Sequence, residues 1–178
     1  LIITDKYYYN GKEINIIERL PKILKKIKSI KSVLILNYPG KKLRKLKKIK
    51  KIKIYYFTEI KKHEISRSKL KKFDFDHELA ILYSSGTTGK PKCICHRSGG
   101  VLLQHLKEHQ LHCNIKPNDN VFYFTTCGWM MWNWLVTALA SKASILLFDG
   151  FPMYKSPDLL LKIVNKEKVT LFLSLIHI

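Results

Sequence analysis

Tyr83-Ser84-Ser85-Gly86-Thr87-Thr88-Gly89-Lys90-Pro91-Lys92 stands directly after an apolar run, Leu79 to Tyr83. A short apolar run bounded by turn residues reads as a buried strand, so the stretch reads as a loop leaving that strand. Glycines let the backbone turn tightly and bring its N–H groups close to an anion, and hydroxyls add donors without bulk. Lys90 and Lys92 add positive charge. Such a loop suits the polyphosphate tail of a nucleotide, and ATP is the expected ligand. The competing reading is an ordinary polar turn, because Gly, Ser and Thr clusters mark turns generally.

Spacing narrows the kind of phosphate loop. A Walker loop needs four residues between its glycines and then Lys-Ser or Lys-Thr. Here only Thr87 and Thr88 separate Gly86 from Gly89, and Pro91 follows Lys90. Proline removes an N–H donor and fixes φ, which opposes a helix starting at the lysine. A Walker-type NTPase therefore fits poorly. The string resembles instead the Ser-Gly-Thr-Thr-Gly-x-Pro-Lys signature of the acyl-adenylate-forming enzymes, the AMP-dependent synthetases and ligases. That resemblance implies a mobile loop closing over the β- and γ-phosphates of ATP with Mg2+. It places Ser84, Ser85, Gly86, Thr87, Thr88, Gly89, Lys90 and Lys92 at the nucleotide. Thr87 and Thr88 would be its foremost contacts and Lys92 a charge partner.

Gly128-Trp129-Met130-Met131-Trp132-Asn133-Trp134 packs three Trp and two Met into seven positions. On composition alone such a run reads as core, since Met and large rings fill irregular apolar space. In acetyl-CoA synthetase-like members of the resembled family, however, a Gly-Trp pair at this distance after the phosphate loop begins the wall of the acyl pocket. The resemblance thus implies an acyl-binding role for Trp129, Met130, Met131, Trp132 and Asn133. A β-keto oxygen would want a donor there, which Asn133 or a Trp indole could supply.

Further stretches are similar to the acetoacetyl-CoA synthetase (acetoacetate–CoA ligase) branch: His96-Arg97-Ser98-Gly99-Gly100, His105-Leu106-Lys107-Glu108, Leu111-His112, Thr125-Thr126 and Phe148-Asp149-Gly150. The likeness runs from Asp76 to Thr170, and Tyr7-Tyr8-Tyr9-Asn10-Gly11-Lys12 extends it upstream. It implies ligation of acetoacetate to coenzyme A through an acyl-adenylate, releasing AMP and pyrophosphate. Acetyl- or propionyl-CoA synthetase is the alternative, although that branch carries a glycine where Trp132 stands.

Such ligases are several times longer, and this chain opens at Leu1 without an initiator Met. The resemblance implies an internal fragment of the large N-terminal domain. Residues 1–72 would form a Lys-rich α/β segment, and residues 73–172 the phosphate-loop and acyl-pocket segment. Residues 173–178 depart from the family pattern and read as a non-native tail. The family's catalytic residues and C-terminal domain are expected beyond Ile178, so the fragment itself should not complete adenylation.

A net charge of +20 raises nucleic acid or an anionic surface as partner. Residues 1–72 carry 23 of the 33 Lys and Arg but 5 of the 13 Asp and Glu, a net +18; the remainder carries 10 against 8, or +2. The motif-bearing half is thus nearly neutral. The basic half is built from Lys, Ile, Asn and Tyr, residues with A/T-rich codons, so genome composition is a sufficient cause. Lysine also lacks the bidentate fork that reads bases or phosphates. Lys41 to Lys53 reads as a solvated face, with a polyanion patch as the alternative. Small-molecule partners, with neither nucleic acid nor membrane, are expected.

Cys93, Cys95, Cys113 and Cys127 form no small secreted framework, and no signal peptide is visible, so a cytoplasmic setting is expected. Cys93-x-Cys95-His96, with His105, His109 and His112 at helical spacing, raises zinc. A zinc site needs three or four converging ligands, whereas Cys93 and Cys95 alternate along a strand-like run as core residues do. No metal held by the protein's own side chains is expected. The apolar run Trp129 to Ala140 falls short of the ~20 residues that a membrane helix needs.

The expected fold class is α/β, with mostly parallel sheets flanked by helices. Strands are expected at Leu1 to Thr4, Val33 to Leu36, Ile52 to Phe57, Leu79 to Tyr83, Val121 to Thr125, Ser144 to Phe148 and Val169 to Phe172. A hairpin should turn at Asn10-Gly11. Ile14 to Ile30 has helical spacing, broken or restarted at Pro21. Helices are expected at Ser98 to His112 with Ser98 as cap, at Met130 to Ala140 as a buried helix, and at Pro157 to Lys166. A boundary is expected near Ser68 to Phe73, where the basic composition ends.

Overall fold

The structure, a computed structural model, describes residues 1–38, 46, 51–60, 70–84 and 89–174. Most of the Lys41 to Lys53 run and residues 85–88 of the phosphate-loop string lie outside the described residues. The chain divides into two compact units, one of Leu1–Lys69 with Asp149–Tyr154, the other of Leu70–Phe148 with Lys155–Ile178. The α/β expectation holds, with two three-stranded parallel sheets, two antiparallel hairpins and flanking helices.

In the first unit, β1 (Ile2–Thr4), β4 (Ser32–Leu36) and β5 (Lys53–Tyr56) form a parallel sheet with β4 in the centre. Val33 and Ile35, two apart on β4, are both fully buried, as the period-2 geometry of a strand requires. Leu20 and Leu24, one turn apart on α1 (Leu20–Lys26), pack against them with Tyr56. Burying each such side chain contributes about 1.5–3 kcal/mol.

The antiparallel pair β2 (Lys6–Tyr9) and β3 (Lys12–Asn15) turns at Asn10-Gly11 as expected. Both residues adopt positive φ, 48° and 73°, the conformation that a tight two-residue hairpin demands. The helical spacing of Ile14 to Ile30 resolves differently from a single helix. Residues to Asn15 are taken by the hairpin, a 3₁₀ turn spans Ile17–Arg19, and α1 begins at Leu20. Pro21 sits in the first turn of α1, where its missing N–H costs nothing. The Ile52 to Phe57 strand stops at Tyr56; Phe57 instead opens the short α2 (Phe57–Ile60) and is exposed.

Asp5 joins these parts. Its Oδ1 accepts from the backbone N–H of Lys6 at 3.0 Å and of Tyr38 at 2.7 Å. Its own N–H donates to the Leu36 carbonyl, and its carbonyl accepts from Ile16. One buried residue thus ties the end of β4 to both ends of the hairpin.

In the second unit, β8 (Asn120–Tyr123) is the central strand of a parallel sheet between β10 (Leu171–Leu173) and β9 (Ser144–Leu146). Val121 and Phe122 are fully buried, and Phe122 stacks on Phe172 with centroids 5.2 Å apart. α5 (Leu159–Lys166) precedes β10 and buries Leu160. β6 (Glu78–Ser84) and β7 (Lys92–Arg97) form a separate antiparallel hairpin, and β7 runs directly into α3 (Ser98–Lys107).

Four expectations are corrected here. Leu79 to Tyr83 is a strand but not a buried one: Leu79, Ile81 and Tyr83 are 51%, 61% and 70% exposed. They share one face of a two-stranded ribbon that no other strand extends among the described residues. Cys93 and Cys95, opposite Tyr83 and Ile81 on that face, are exposed rather than core residues. Ser98 does not cap α3; Arg97 holds the cap position and the Ser98 hydroxyl donates to the His77 carbonyl at 3.0 Å. The Met130 to Ala140 helix is two-sided, not buried throughout. α4 (Met130–Thr137) continues as a 3₁₀ turn over Ala138–Ser141, and Met130 and Leu139 are exposed while Trp134, Leu135 and Ala138 are buried.

Among the described residues no helix is long and apolar enough to cross a membrane. Replacing Asp5 with Ala should strand two backbone donors and cost about 1–3 kcal/mol in chemical denaturation. Asp5→Asn, which keeps an oxygen acceptor, should lose less; equal losses would contradict the role given to that oxygen.

Candidate active site

The two described ends of the Ser84–Lys92 string are paired with each other. Ser84 closes β6 opposite Lys92, which opens β7, so both ends of the 85–91 segment are pinned by one register. Gly89 has φ of 103°, a conformation that side chains rarely adopt. Lys90 and Lys92 are exposed, and Ser84 is half-buried. No Asp or Glu lies between Ser84 and Lys92, so the segment carries positive charge and hydroxyls without a competing carboxylate. Ser85, Gly86, Thr87 and Thr88 lie outside the described residues.

β7 leads from this loop into α3 without a break. The strap before β6 fastens that junction: the Phe75 carbonyl accepts from Gly99 N–H, and the His77 carbonyl from Ser98 N–H, both at 2.8 Å. A Cβ at Gly99 would fall inside the Phe75 ring, which explains a glycine there. α3 packs on both β7 and α4, so the loop and the aromatic run are connected through one helix.

Trp129 occupies the N-cap position of α4, and Met130 to Asn133 form its first turn. Trp129 and Met130 are each 40% exposed, whereas Met131, Trp132 and Asn133 are half-buried. Trp134 is 4% exposed and belongs to the core with Ile115, Val121, Leu135, Ala138 and Ala143. The Tyr123 ring lies 6.1 Å from Trp129 and 6.3 Å from Trp134. One end of α4 therefore presents large side chains outward while its middle is anchored inside. The Trp134 indole N–H donates to Glu108 Oε2 at 2.8 Å and is not a free donor for a substrate; Trp129, Trp132 and Asn133 remain as candidates.

Sequence reading overlooked the polar layer beneath. Glu108 Oε1 accepts from Gln104 Nε2 at 2.6 Å, so both carboxylate oxygens are engaged. Burial alone would raise the Glu108 pKa, but the Trp134 and Gln104 hydrogen bonds, with His105 and Lys107 nearby, hold it below the ordinary carboxylate value. The Thr137 hydroxyl sits 3.0 and 2.8 Å from the Asn133 and Trp134 carbonyls, and 2.9 Å from His105 Nδ1. With its single proton on a carbonyl, Thr137 accepts from His105, which assigns the Nδ1–H tautomer.

His109 is fully buried in a π-helical turn (Glu108–His112), edge-on to Trp134 at 4.3 Å, with neither ring nitrogen hydrogen-bonded among the described residues. Burial holds both His105 and His109 below the usual histidine pKa, and their mutual repulsion lowers His109 further. The one available signal was the helical spacing of His105 and His109, read against zinc. No group of three or more His, Cys, Asp or Glu among the described residues could hold a metal ion.

With this geometry in view, comparison with known proteins decides the family. The AMP-binding enzyme family matches residues 1–175. The chain belongs to that family. It is 44% identical over 166 residues to acetoacetyl-CoA synthetase of Gallus gallus, covering 92% of this chain and 25% of that protein. It is 55% identical over 83 residues to malonamoyl-CoA synthetase of Penicillium aethiopicum, covering 47% of this chain and 12% of that protein. The solved acetoacetyl-CoA synthetase from Streptomyces lividans superposes with a TM-score of 0.81 at 32% identity, over 98% of this chain and 26% of that one. The chain thus spans about a quarter of the length of the acetoacetyl-CoA synthetases it matches.

The histidine shifts make a pH prediction. His105 and His109 resist protonation in the fold, while the unfolded chain takes up protons near the ordinary histidine value of 6.5. The unfolded state therefore binds more protons as pH falls below 6.5, and stability declines from there toward the lower folded values. Thermal unfolding of the second unit should drop across that window, and His109→Phe should flatten the decline. An equally steep decline in the variant would contradict the assignment.

Proposed function

We propose that a chain of the relatives' full length joins acetoacetate to coenzyme A at the expense of ATP. The carboxylate oxygen attacks the α-phosphorus, and the bond from that phosphorus to pyrophosphate breaks. The coenzyme A thiol, losing its proton, then attacks the acyl carbonyl and expels AMP. The observation that carries this reading is the placement of an uncompensated hydroxyl, glycine and lysine segment between pinned strands. The likeness to acetoacetyl-CoA synthetases over most of this chain supports it.

The protein's part in such a transfer is positioning and charge stabilisation. Ser84 to Gly89 supply N–H and hydroxyl donors to the departing pyrophosphate, and Lys90 and Lys92 offset its charge. Magnesium, when bound, neutralises charge on the β- and γ-phosphates. The only side-chain oxygens near it on this segment would be those of Ser84, Ser85, Thr87 and Thr88. Trp129, Met130 and Met131 border the acyl group and limit its length, while Trp132 and Asn133 complete the wall. The Asn133 amide or the indole of Trp129 or Trp132 donates to the keto oxygen. The reaction's partners are small molecules, and a cytoplasmic setting suits them.

Malonamate is the second reading, favoured by the 55% identity to malonamoyl-CoA synthetase over 83 residues. Both acids carry a carbonyl β to the carboxylate, so one donor would serve either.

Acid-dependent exchange of pyrophosphate into ATP tests this reading. Acetoacetate should support exchange well above acetate or butyrate; exchange with none of these acids would refute it. Thr87→Ala or Thr88→Ala should lower kcat/KM for ATP about 10- to 100-fold, the worth of a hydrogen bond to a charged group. Trp129→Gly should shift preference toward longer acids by roughly tenfold or more. An unchanged acid profile would remove Trp129 from the wall.

A further inference from the structure

α3 and the π-helical turn that continues it are joined to α4 by two cross-helix hydrogen bonds, the helices running in opposite chain directions. Glu108, the later residue on the first helical segment, pairs with Trp134, the earlier on α4; His105 pairs with Thr137. Each pair is three residues from the other on its own helix, so both bonds lie along one seam. Two bonds along a seam fix rotation as well as register, which one bond cannot do. His109 fills the space beside the Glu108 rung, edge-on to Trp134.

The same helix carries the exposed aromatic wall. Trp134 lies one turn after Met130 and Met131, on their face of α4. Trp129 is about 7.5 Å further along at ~1.5 Å per residue. Tyr123 touches the rings of both Trp129 and Trp134, so a shift of one reaches the other through side chains as well as backbone. Leaving Glu108 without the indole would free a partly buried carboxylate oxygen and remove one of the two bonds that hold α4 in register.

From this geometry we infer that Glu108 and Trp134 are positioning residues whose hydrogen bond sets the depth of the Trp129–Met131 wall, and with it the length of acid accepted. Neither touches the acid. The inference rests on the acyl-wall reading proposed above, and His105 with Thr137 forms its second rung.

The test uses a chain of the relatives' full length. kcat and KM are measured for acetoacetate and for the 3-oxo acid two carbons longer, in Glu108→Ala, Trp134→Phe, the double variant and Glu108→Gln. Selectivity for acetoacetate should fall roughly tenfold in either single variant, through KM for the acid, while KM for ATP stays within about twofold. The double variant should fall no further, because both changes remove the same bond. Glu108→Gln, whose amide oxygen still accepts from the indole, should keep about half or more of the selectivity.

An unchanged ratio in both single variants overturns the inference, and so does an equal rise in KM for acid and ATP. In the same proteins labelled with 5-fluorotryptophan, the Trp129 resonance, assigned by its loss in Trp129→Phe, should move in Glu108→Ala. An unmoved resonance also overturns it. That readout needs no turnover: if the unaltered enzyme activated neither acid, the activity reading would fail, and the fluorine shift would still decide the clamp.

Discussion

The pairing of β6 with β7 is the constraint that brings Ser84 and Lys92 together and leads into α3. Were the proposed grip on polyphosphate made by a chain with free ends, ordering it would cost conformational entropy. Ser84 is instead paired opposite Lys92, which would lower that cost. The same strand then becomes α3 at Ser98, so whatever positions the loop also positions the helix beneath the aromatic run. Gly99 and the Phe75 strap secure the joint between them.

From α3 the structure divides its polar and apolar work. The outward end of α4 presents Trp129 and Met130, large but only partly covered, while Trp134 carries the burial. An indole buried in a core needs a partner for its N–H, and Glu108 supplies it. That carboxylate is satisfied on both oxygens, which makes a charge tolerable in a partly buried seam. A fully buried His109, with neither ring nitrogen hydrogen-bonded among the described residues, is a costlier filler than Phe or Leu. Burial, and after it the neighbouring His105, opposes its charging.

Much of the fold was legible where local chemistry and tertiary role agree. Asn10-Gly11 demands a tight hairpin wherever it falls between strands, and Val33 with Ile35 reads as the inside of a parallel strand. The misreadings share one cause. Leu79 to Tyr83 is apolar enough for a buried parallel strand, but its partner is the neighbouring Lys92–Arg97, and pairing partners are not written in a run's own composition. Cys93 and Cys95 follow the same error, since alternation identifies a face without saying what covers it. Ile14 heads a helical spacing, but the hairpin takes it and Asn15, leaving a 3₁₀ turn before α1 starts beside Pro21. The phosphate string and the Gly128–Trp134 run were visible as motifs. The Glu108–Trp134 and His105–Thr137 seam was not, because a hydrogen bond across two helices depends on their packing and leaves no spacing in the chain beyond His105 and His109.

We propose that the strand-pinned segment from Ser84 to Lys92 grips the polyphosphate of ATP. Backbone hydrogen exchange in a chain of the relatives' full length, with and without magnesium and a non-hydrolysable ATP analogue, tests it most directly. Exchange at residues 84–92 should slow when nucleotide is present, with the lysine-rich run 41–53 unchanged. Unaltered exchange at 84–92, with protection appearing at 41–53 instead, would contradict it.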